Sequence, residues 1–169
     1  MRRSLFWMVL FAALTGFCQA VAAVNVTVSF VHPEQFVDAK SPRGESDQRL
    51  LALAKHLQWL GQRYLPADQT LRVEVLNVDL AGRERVLTRS GQTVRIDNGR
   101  ADWPEITLRY LLQGGGQTLQ QGEEVVTDMN YLNHVNTYDG SDPLRYEKAM
   151  LERWFRQRFE PAPAAKRGG

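Results

Sequence analysis

Cysteine and recognisable catalytic motifs are scarce in this chain of 169 residues. Its one cysteine, Cys18, lies in an N-terminal segment that we expect to be removed, so the mature chain is predicted to use neither disulfides nor thiolate chemistry. The sequence patterns of zinc proteases, nucleophile-elbow hydrolases, phosphate-binding loops and dithiol redox sites do not occur. The sequence therefore favours a protein that is not an enzyme, and it predicts no catalytic residue and no cofactor.

A strong excess of positive charge is also missing. The full chain has 21 Lys and Arg residues against 19 Asp and Glu residues, and removal of Arg2 and Arg3 makes the two numbers equal. A nucleic-acid-binding protein usually concentrates basic residues on one surface. We therefore expect no nucleic-acid partner.

The first 23 residues have the organisation of a bacterial export signal. Arg2 and Arg3 precede an apolar run over residues 5–17, which is shorter than the roughly 20 residues that a membrane-spanning helix needs. Ala20-Val21-Ala22 fits the cleavage pattern of small residues. We predict a cleaved signal peptide over residues 1–23, a periplasmic or secreted location and no stable membrane anchor afterwards. A single globular domain over residues 24–160 and a disordered tail over residues 161–169 should follow.

The hydrophobic periodicity predicts both helices and strands. Strands are expected over residues 24–31, 71–78, 105–113 and 117–127, with a short one over residues 93–97. One helix should begin after an N-cap at Ser46 and end before Pro66, and the last should start at Asp142-Pro143 and end near Phe159. Each strand has one apolar face, so we predict an α+β fold with two layers, in which two main helices cover one face of a mostly antiparallel sheet of about four to five strands. The helical connection allows the first two strands to run parallel.

Other residues are assigned to structure rather than to a site. His56 lies beside the apolar stripe of the first helix and is predicted to be a surface histidine. The charged residues between positions 83 and 89 are predicted to form a solvated connection. The residues assigned a structural role in turns, element starts and the core are Gly82, Trp103, Pro104, Asp142, Pro143, Trp154 and Phe155.

Polar residues at the predicted strand ends form the candidate ligand or partner site. They are Asp79, Asp102, Asp128, Asn130, Tyr131, His134 and Tyr138. Functional residues often lie in loops at the ends of strands. If these ends share one edge of the sheet, carboxylates together with His134 can hold a divalent cation. Each Asp can equally satisfy local backbone amides at a turn or cap, and for Asp79, three residues before Gly82, this structural role is preferred.

Four short blocks in the chain resemble a known family. The blocks are Asp79-Leu80-Ala81-Gly82, Ala101-Asp102-Trp103-Pro104, Asp128-Met129-Asn130-Tyr131, and Arg145-Tyr146-Glu147-Lys148 followed by Trp154-Phe155. In this order they resemble the bacterial family of domain of unknown function 3016, over roughly residues 24–159. That family contains exported proteins with no assigned activity, so the resemblance implies an envelope location and supplies no mechanism.

Three classes of function stay open at this point. The preferred hypothesis is a non-catalytic periplasmic binding or interaction domain with another periplasmic or envelope protein as its partner, contacted through the loop at residues 128–138 or through a sheet edge. The alternative is a metal-binding protein or metal-dependent hydrolase that uses an Asp/His cluster. A small-molecule binder between helix and sheet is a third class, for which the sequence offers no specific polar set. Of the first two, only the metal hypothesis predicts metal-dependent stability.

Overall fold

The computed structural model describes residues 25–38, 45–87, 89, 93–96 and 102–160. The elements follow the order β1 (Val26–Phe30), a 3-10 turn (Pro33–Gln35), α1 (Glu45–Tyr64), β2 (Gln69–Asp79), β3 (Arg83–Val86), β4 (Thr93–Ile96), β5 (Glu105–Gly114), β6 (Gln117–Thr127) and α2 (Arg145–Phe159). In these parts of the chain, no helix is long and apolar enough to cross a membrane. The predicted signal peptide with Cys18 and the predicted tail lie outside the described residues.

A four-stranded sheet in the order β1–β2–β5–β6 forms one layer. The β1 and β2 strands are parallel and are joined by α1, whereas β2, β5 and β6 pair antiparallel. The predicted α+β fold is therefore confirmed, and so is the parallel arrangement of the first two strands. The prediction for residues 83–89 was wrong in part, because residues 83–86 form β3 and pair with β4 in a separate two-stranded sheet. The sequence of β3, Arg83-Glu84-Arg85-Val86, has no apolar alternation, so hydrophobic periodicity could not predict this strand.

The apolar core lies between one face of the four-stranded sheet and the two helices. Alternate residues of the strands point into it, as the period of two requires. Its members include Leu71, Val73 and Val75 of β2, Ile106 and Leu108 of β5, Leu53, Leu57 and Leu60 of α1, and Leu151, Trp154 and Phe155 of α2. Burial of each large apolar side chain stabilises the fold by about 1.5–3 kcal/mol before the entropy of ordering is subtracted.

A glycine lets the first helix approach the first strand closely. A Cβ atom at Gly61 of α1 would lie 2.0 Å from a methyl group of Val26, so any larger residue there would force the two elements apart. The Asn25 side chain is buried beside this contact and donates a hydrogen bond to the Gly61 carbonyl at 3.2 Å. Asn25-Val26-Thr27 matches the pattern of a glycosylation sequon, and the burial of Asn25 makes this position inaccessible in the folded chain.

Both helix starts differ from the predictions. The first helix already includes Glu45, so Ser46 lies in its first turn instead of capping it. The last helix begins at Arg145, and Asp142-Pro143 belongs to a preceding turn. Asp142 still stabilises the turn that leads into α2. Its carboxylate accepts the Leu144 N–H at 2.9 Å, and its carbonyl accepts the Arg145 N–H at 3.2 Å. Local competition between such turns and a helix is not decided by residue type alone.

Candidate binding surface

The segment that connects β6 to α2 comprises residues 128–142, and we call it the strap. It consists of turns and irregular backbone. Four of its polar side chains bind α2: Asp128 pairs with Arg153, Asn136 donates to the Arg145 carbonyl at 3.0 Å, Tyr138 donates to Glu152 at 2.6 Å, and Asp142 pairs with Lys148. Because these contacts are spread over the strap, they fix its course along the helix.

One end of the strap is held by Asp128. This carboxylate is only 7% exposed and receives the guanidinium of Arg153. It also accepts the backbone N–H of Asn130 at 3.1 Å and lies 3.1 Å from Nδ1 of His134. Since an ionised carboxylate can only accept, Nδ1 of His134 carries the proton in this contact. The charge and hydrogen bonds of Asp128 are thus largely satisfied within the chain, as a buried ion requires.

Tyr131 fastens the middle of the strap to the domain. Its ring is buried and meets the ring of Tyr146 edge to face, with centroids 4.7 Å apart. Its hydroxyl donates a long hydrogen bond of 3.4 Å to the buried carboxylate of Asp102. The backbone carbonyl of Asp102 in turn accepts the N–H of Gly82, whose φ of 75° suits a residue without a side chain. Asp102 therefore links the strap to the turn after β2.

The other end of the strap covers His56, which contradicts the prediction that this histidine is a surface residue. His56 is only 7% exposed. Its ring stacks on Trp59 at 5.7 Å and meets the ring of Tyr138 edge to face at 5.4 Å. Nε2 lies 3.0 Å from the Lys148 carbonyl, so this nitrogen donates and carries the proton. The prediction failed because the flank of α1 outside the apolar stripe is covered by α2 and by Tyr138, which lies 82 positions later in the chain.

Burial controls the protonation of His56 and its neighbours. Removal from water lowers the pKa of His56 to about 4, despite its hydrogen bond to the Lys148 carbonyl. Burial also acts to raise the pKa of Glu152, but hydrogen bonds from Tyr138 at 2.6 Å and Tyr64 at 2.7 Å lower that pKa on balance. The pKa of Tyr138 is raised by burial and by its bond to Glu152. At neutral pH the histidine is therefore neutral, the carboxylate charged and the tyrosine protonated.

The strand ends meet at one edge of the sheet, which was the condition on which the sequence made a shared site possible. Asp79 pairs with Glu105, and Glu105 pairs with Thr127, directly before Asp128. Asp102 contacts Tyr131, whereas Asp128 contacts Arg153 and His134. Among the residues that the structure describes, no group of three or more His, Cys, Asp and Glu side chains is placed to hold a metal ion. The geometry thus lends no support to the metal alternative.

Apolar side chains occupy the outer surface of the strap. Met129 is 67% exposed, Leu132 is 45% exposed and Val135 is 90% exposed. They are three residues apart, and we call them the apolar stripe. Single exposed apolar residues are common on protein surfaces, but three of them in a short segment make this surface the candidate for a contact.

Some residues that shape this region were missed by sequence reasoning. Glu147 is completely buried, and its carboxylate accepts the N–H of Ala81 at 2.7 Å. It lies four residues before Leu151 and eight before Phe155, on the apolar face of α2. A carboxylate on the apolar face of a helix could have indicated a buried polar contact, because a buried acid needs a partner. The roles of His56, Tyr64, Glu152 and Arg153 had no comparable signal.

The uncovered face of the sheet offers a different kind of surface. It contains a concavity of about 460 Å³ that is lined mainly by Arg72, Glu74, Arg109 and Glu123. Arg109 bridges Glu74 at 3.0 Å and Glu123 at 2.9 Å across three strands. Exposed ion pairs of this kind contribute little to stability and are typical of a solvated sheet face.

Comparisons with known proteins give a family and no neighbour of known function. No curated protein and no solved structure matches the chain. The four sequence blocks that carry the resemblance contain Asp102, Asp128, Tyr131 and Tyr146, which build the strap contacts. Residues 24–157 match the family described as protein of unknown function (DUF3016), and the chain belongs to this family.

Proposed function

We propose that the chain is an exported, non-catalytic binding domain that recognises another protein of the bacterial envelope through the strap. The observation that carries this proposal is the exposed apolar stripe of Met129, Leu132 and Val135. A surface of Met and aliphatic side chains without a charged centre favours a protein partner.

The fixed course of the strap supports the same function. Asp128, Tyr131 and Tyr138 hold the strap to the domain between and beyond the stripe residues. A segment that is ordered before binding loses less conformational entropy when the partner arrives. The stripe is therefore presented in a conformation that is ready to dock.

The polar residues of the strap support a binding role rather than catalysis. Asp128 is engaged by Arg153 and His134, and Tyr138 is engaged by Glu152. A general acid or base must instead reach a proton of the substrate. The pKa directions of Tyr138 and Glu152 are those of a stable hydrogen-bonded pair, not of groups that exchange a proton near neutral pH.

Export is supported by the sequence of residues 1–23. A positive start, an apolar run too short for a span and a small-residue cleavage pattern occur in the order of a signal peptide. Fractionation of cells and N-terminal sequencing of the protein test this part of the proposal. A chain retained in the cytoplasm with its first residues intact would contradict it.

Site-specific photocrosslinking in living cells tests the partner. A photoreactive amino acid at Val135 should give one discrete adduct, and Leu132→Asp in the same chain should reduce that adduct at least about fivefold, since the substitution places a charge in the stripe. The matched control is the same photoreactive residue at Val125, which is 56% exposed on the sheet. Equal adducts at both positions, or none at Val135, would contradict the proposal.

A further inference from the structure

The strap, all of whose residues the structure describes, is held mainly by polar contacts. Tyr131 is buried, but the three residues of the apolar stripe project into solvent. The polar attachment to α2 includes the contacts of Asp128, Asn136, Tyr138 and Asp142 and that of the Gly140 carbonyl with Arg145. Segments with few buried apolar contacts open locally at a lower free energy than the core unfolds. The strap is thus able to leave α2 while the sheet and the helices stay intact.

We infer that the strap is an acid-sensitive latch, which detaches from α2 as a unit when the pH falls while the rest of the domain remains folded. His56 is the residue that responds, because Tyr138 covers its ring and Lys148 accepts its proton. Detachment would remove the ordered presentation of the apolar stripe. That consequence rests on the proposed function, whereas the detachment itself does not.

The charged and titratable groups around His56 come from α2 and the strap, and α1 adds an aromatic ring. Lys148 and Glu152 face it from α2, Tyr138 and Asp142 face it from the strap, and α1 contributes its stacked neighbour Trp59. Glu152 and Asp142 favour the charged imidazolium, whereas Lys148 and burial oppose it. Burial is the largest effect, so the attached strap keeps the histidine neutral.

The direction of the pH effect follows from this arrangement. The pKa of His56 is about 4 with the strap attached and returns toward the ordinary value of 6.5 once water reaches the ring. The detached state therefore binds a proton more readily, and attachment weakens as the pH falls from about 6.5 to about 4. Glu152 and Asp142 have lowered pKa values, so their contribution to attachment is lost only below their ordinary range near pH 4.

Hydrogen exchange of the full mature chain measures the detachment directly. Protection factors, corrected for intrinsic exchange rates at each pH, should fall on the order of tenfold for the strap amides between pH 7.5 and pH 5. The amides of β2 and β5 should keep their protection over this range. Unchanged strap protection, or loss of strap and sheet protection together, would overturn the inference.

Three variants separate the latch from a general loss of stability. His56→Gln can keep a donor to the Lys148 carbonyl but does not titrate, so its strap protection should not respond between pH 7.5 and pH 5. The matched control is His32→Gln, which removes an exposed histidine and should leave the response intact. Tyr138→Phe keeps the ring over His56 but loses the bond to Glu152, and should lower strap protection already at pH 7.5. A His56→Gln response equal to that of the unaltered chain, or unaltered protection in Tyr138→Phe, would overturn the inference even if partner crosslinking succeeds.

Discussion

The core and the strap are held by different forces. The core beneath the two helices consists of interlocked apolar side chains such as Phe155, Leu108 and Leu151, none of which reaches solvent. The strap is attached mainly by ion pairs and hydrogen bonds, together with the buried ring of Tyr131, and points its apolar stripe outward. Apolar burial resists changes of pH, whereas polar attachment depends on protonation. The domain thus combines a core that is insensitive to pH with a strap that a fall in pH can release.

The largest expected effect comes from opening the core. Phe155 is fully buried, and its ring lies 4.9 Å from that of Phe159. Phe155→Ala removes this packing and leaves a cavity, so the free energy of unfolding should fall by about 3–5 kcal/mol. Denaturant unfolding checks the value. The control Val125→Ala on the exposed sheet face should change the stability by less than about 0.5 kcal/mol, and similar losses in both variants would contradict the assignment of the core.

A smaller effect is expected where a polar contact lies inside the core. Glu147→Ala removes the buried carboxylate that accepts the N–H of Ala81, and the free energy of unfolding should fall by about 2–3 kcal/mol. Glu147→Gln keeps a carbonyl acceptor and nearly the same volume, so its loss should be no more than about half as large. Thermal and denaturant unfolding of both variants measure this difference. Equal losses would show that the charge, rather than the contact with Ala81, is what matters.

The smallest expected effect concerns metal ions at the strap. Because Arg153 already occupies the carboxylate of Asp128, added Zn²⁺, Ca²⁺, Mg²⁺ or Mn²⁺ should leave Tm unchanged within about 1 °C. An ion present at 100 times its Kd would stabilise the fold by about 2.7 kcal/mol, which is readily measured. A rise in Tm that Asp128→Asn or His134→Ala abolishes would instead favour the metal alternative and weaken the contrast between core and strap.

Secondary structure was the most predictable part of the molecule. The final strand was expected over residues 117–127, and β6 has these bounds. The buried face of α2, the last helix, also follows from the three–four spacing of Leu151, Trp154 and Phe155. Periodicity succeeds there because each element buries one continuous side against the same core. Periodicity did not predict the first residues of the helices correctly, because several local hydrogen-bonding arrangements compete there.

The candidate site was predictable only in outline. The loops at the strand ends were expected to contain the site, and Asp102, Asp128 and Tyr131 do lie together with α2 at this edge. Their partners were not predictable, since Arg153 is 25 positions from Asp128 and His56 is 82 positions from Tyr138. Contacts at such separations follow from how the elements pack and leave no periodic trace in the sequence.

The sequence by itself determined the family, the order of the main elements and the apolar face of each, because periodicity and short blocks are local properties. Only the tertiary structure decided that His56 is buried and that Arg153 holds Asp128. It also decided that the apolar stripe faces outward. Burial and the pKa shifts that come with it depend on which distant segment covers a side chain. That cover arises only when the strap, α1 and α2 meet in the folded chain.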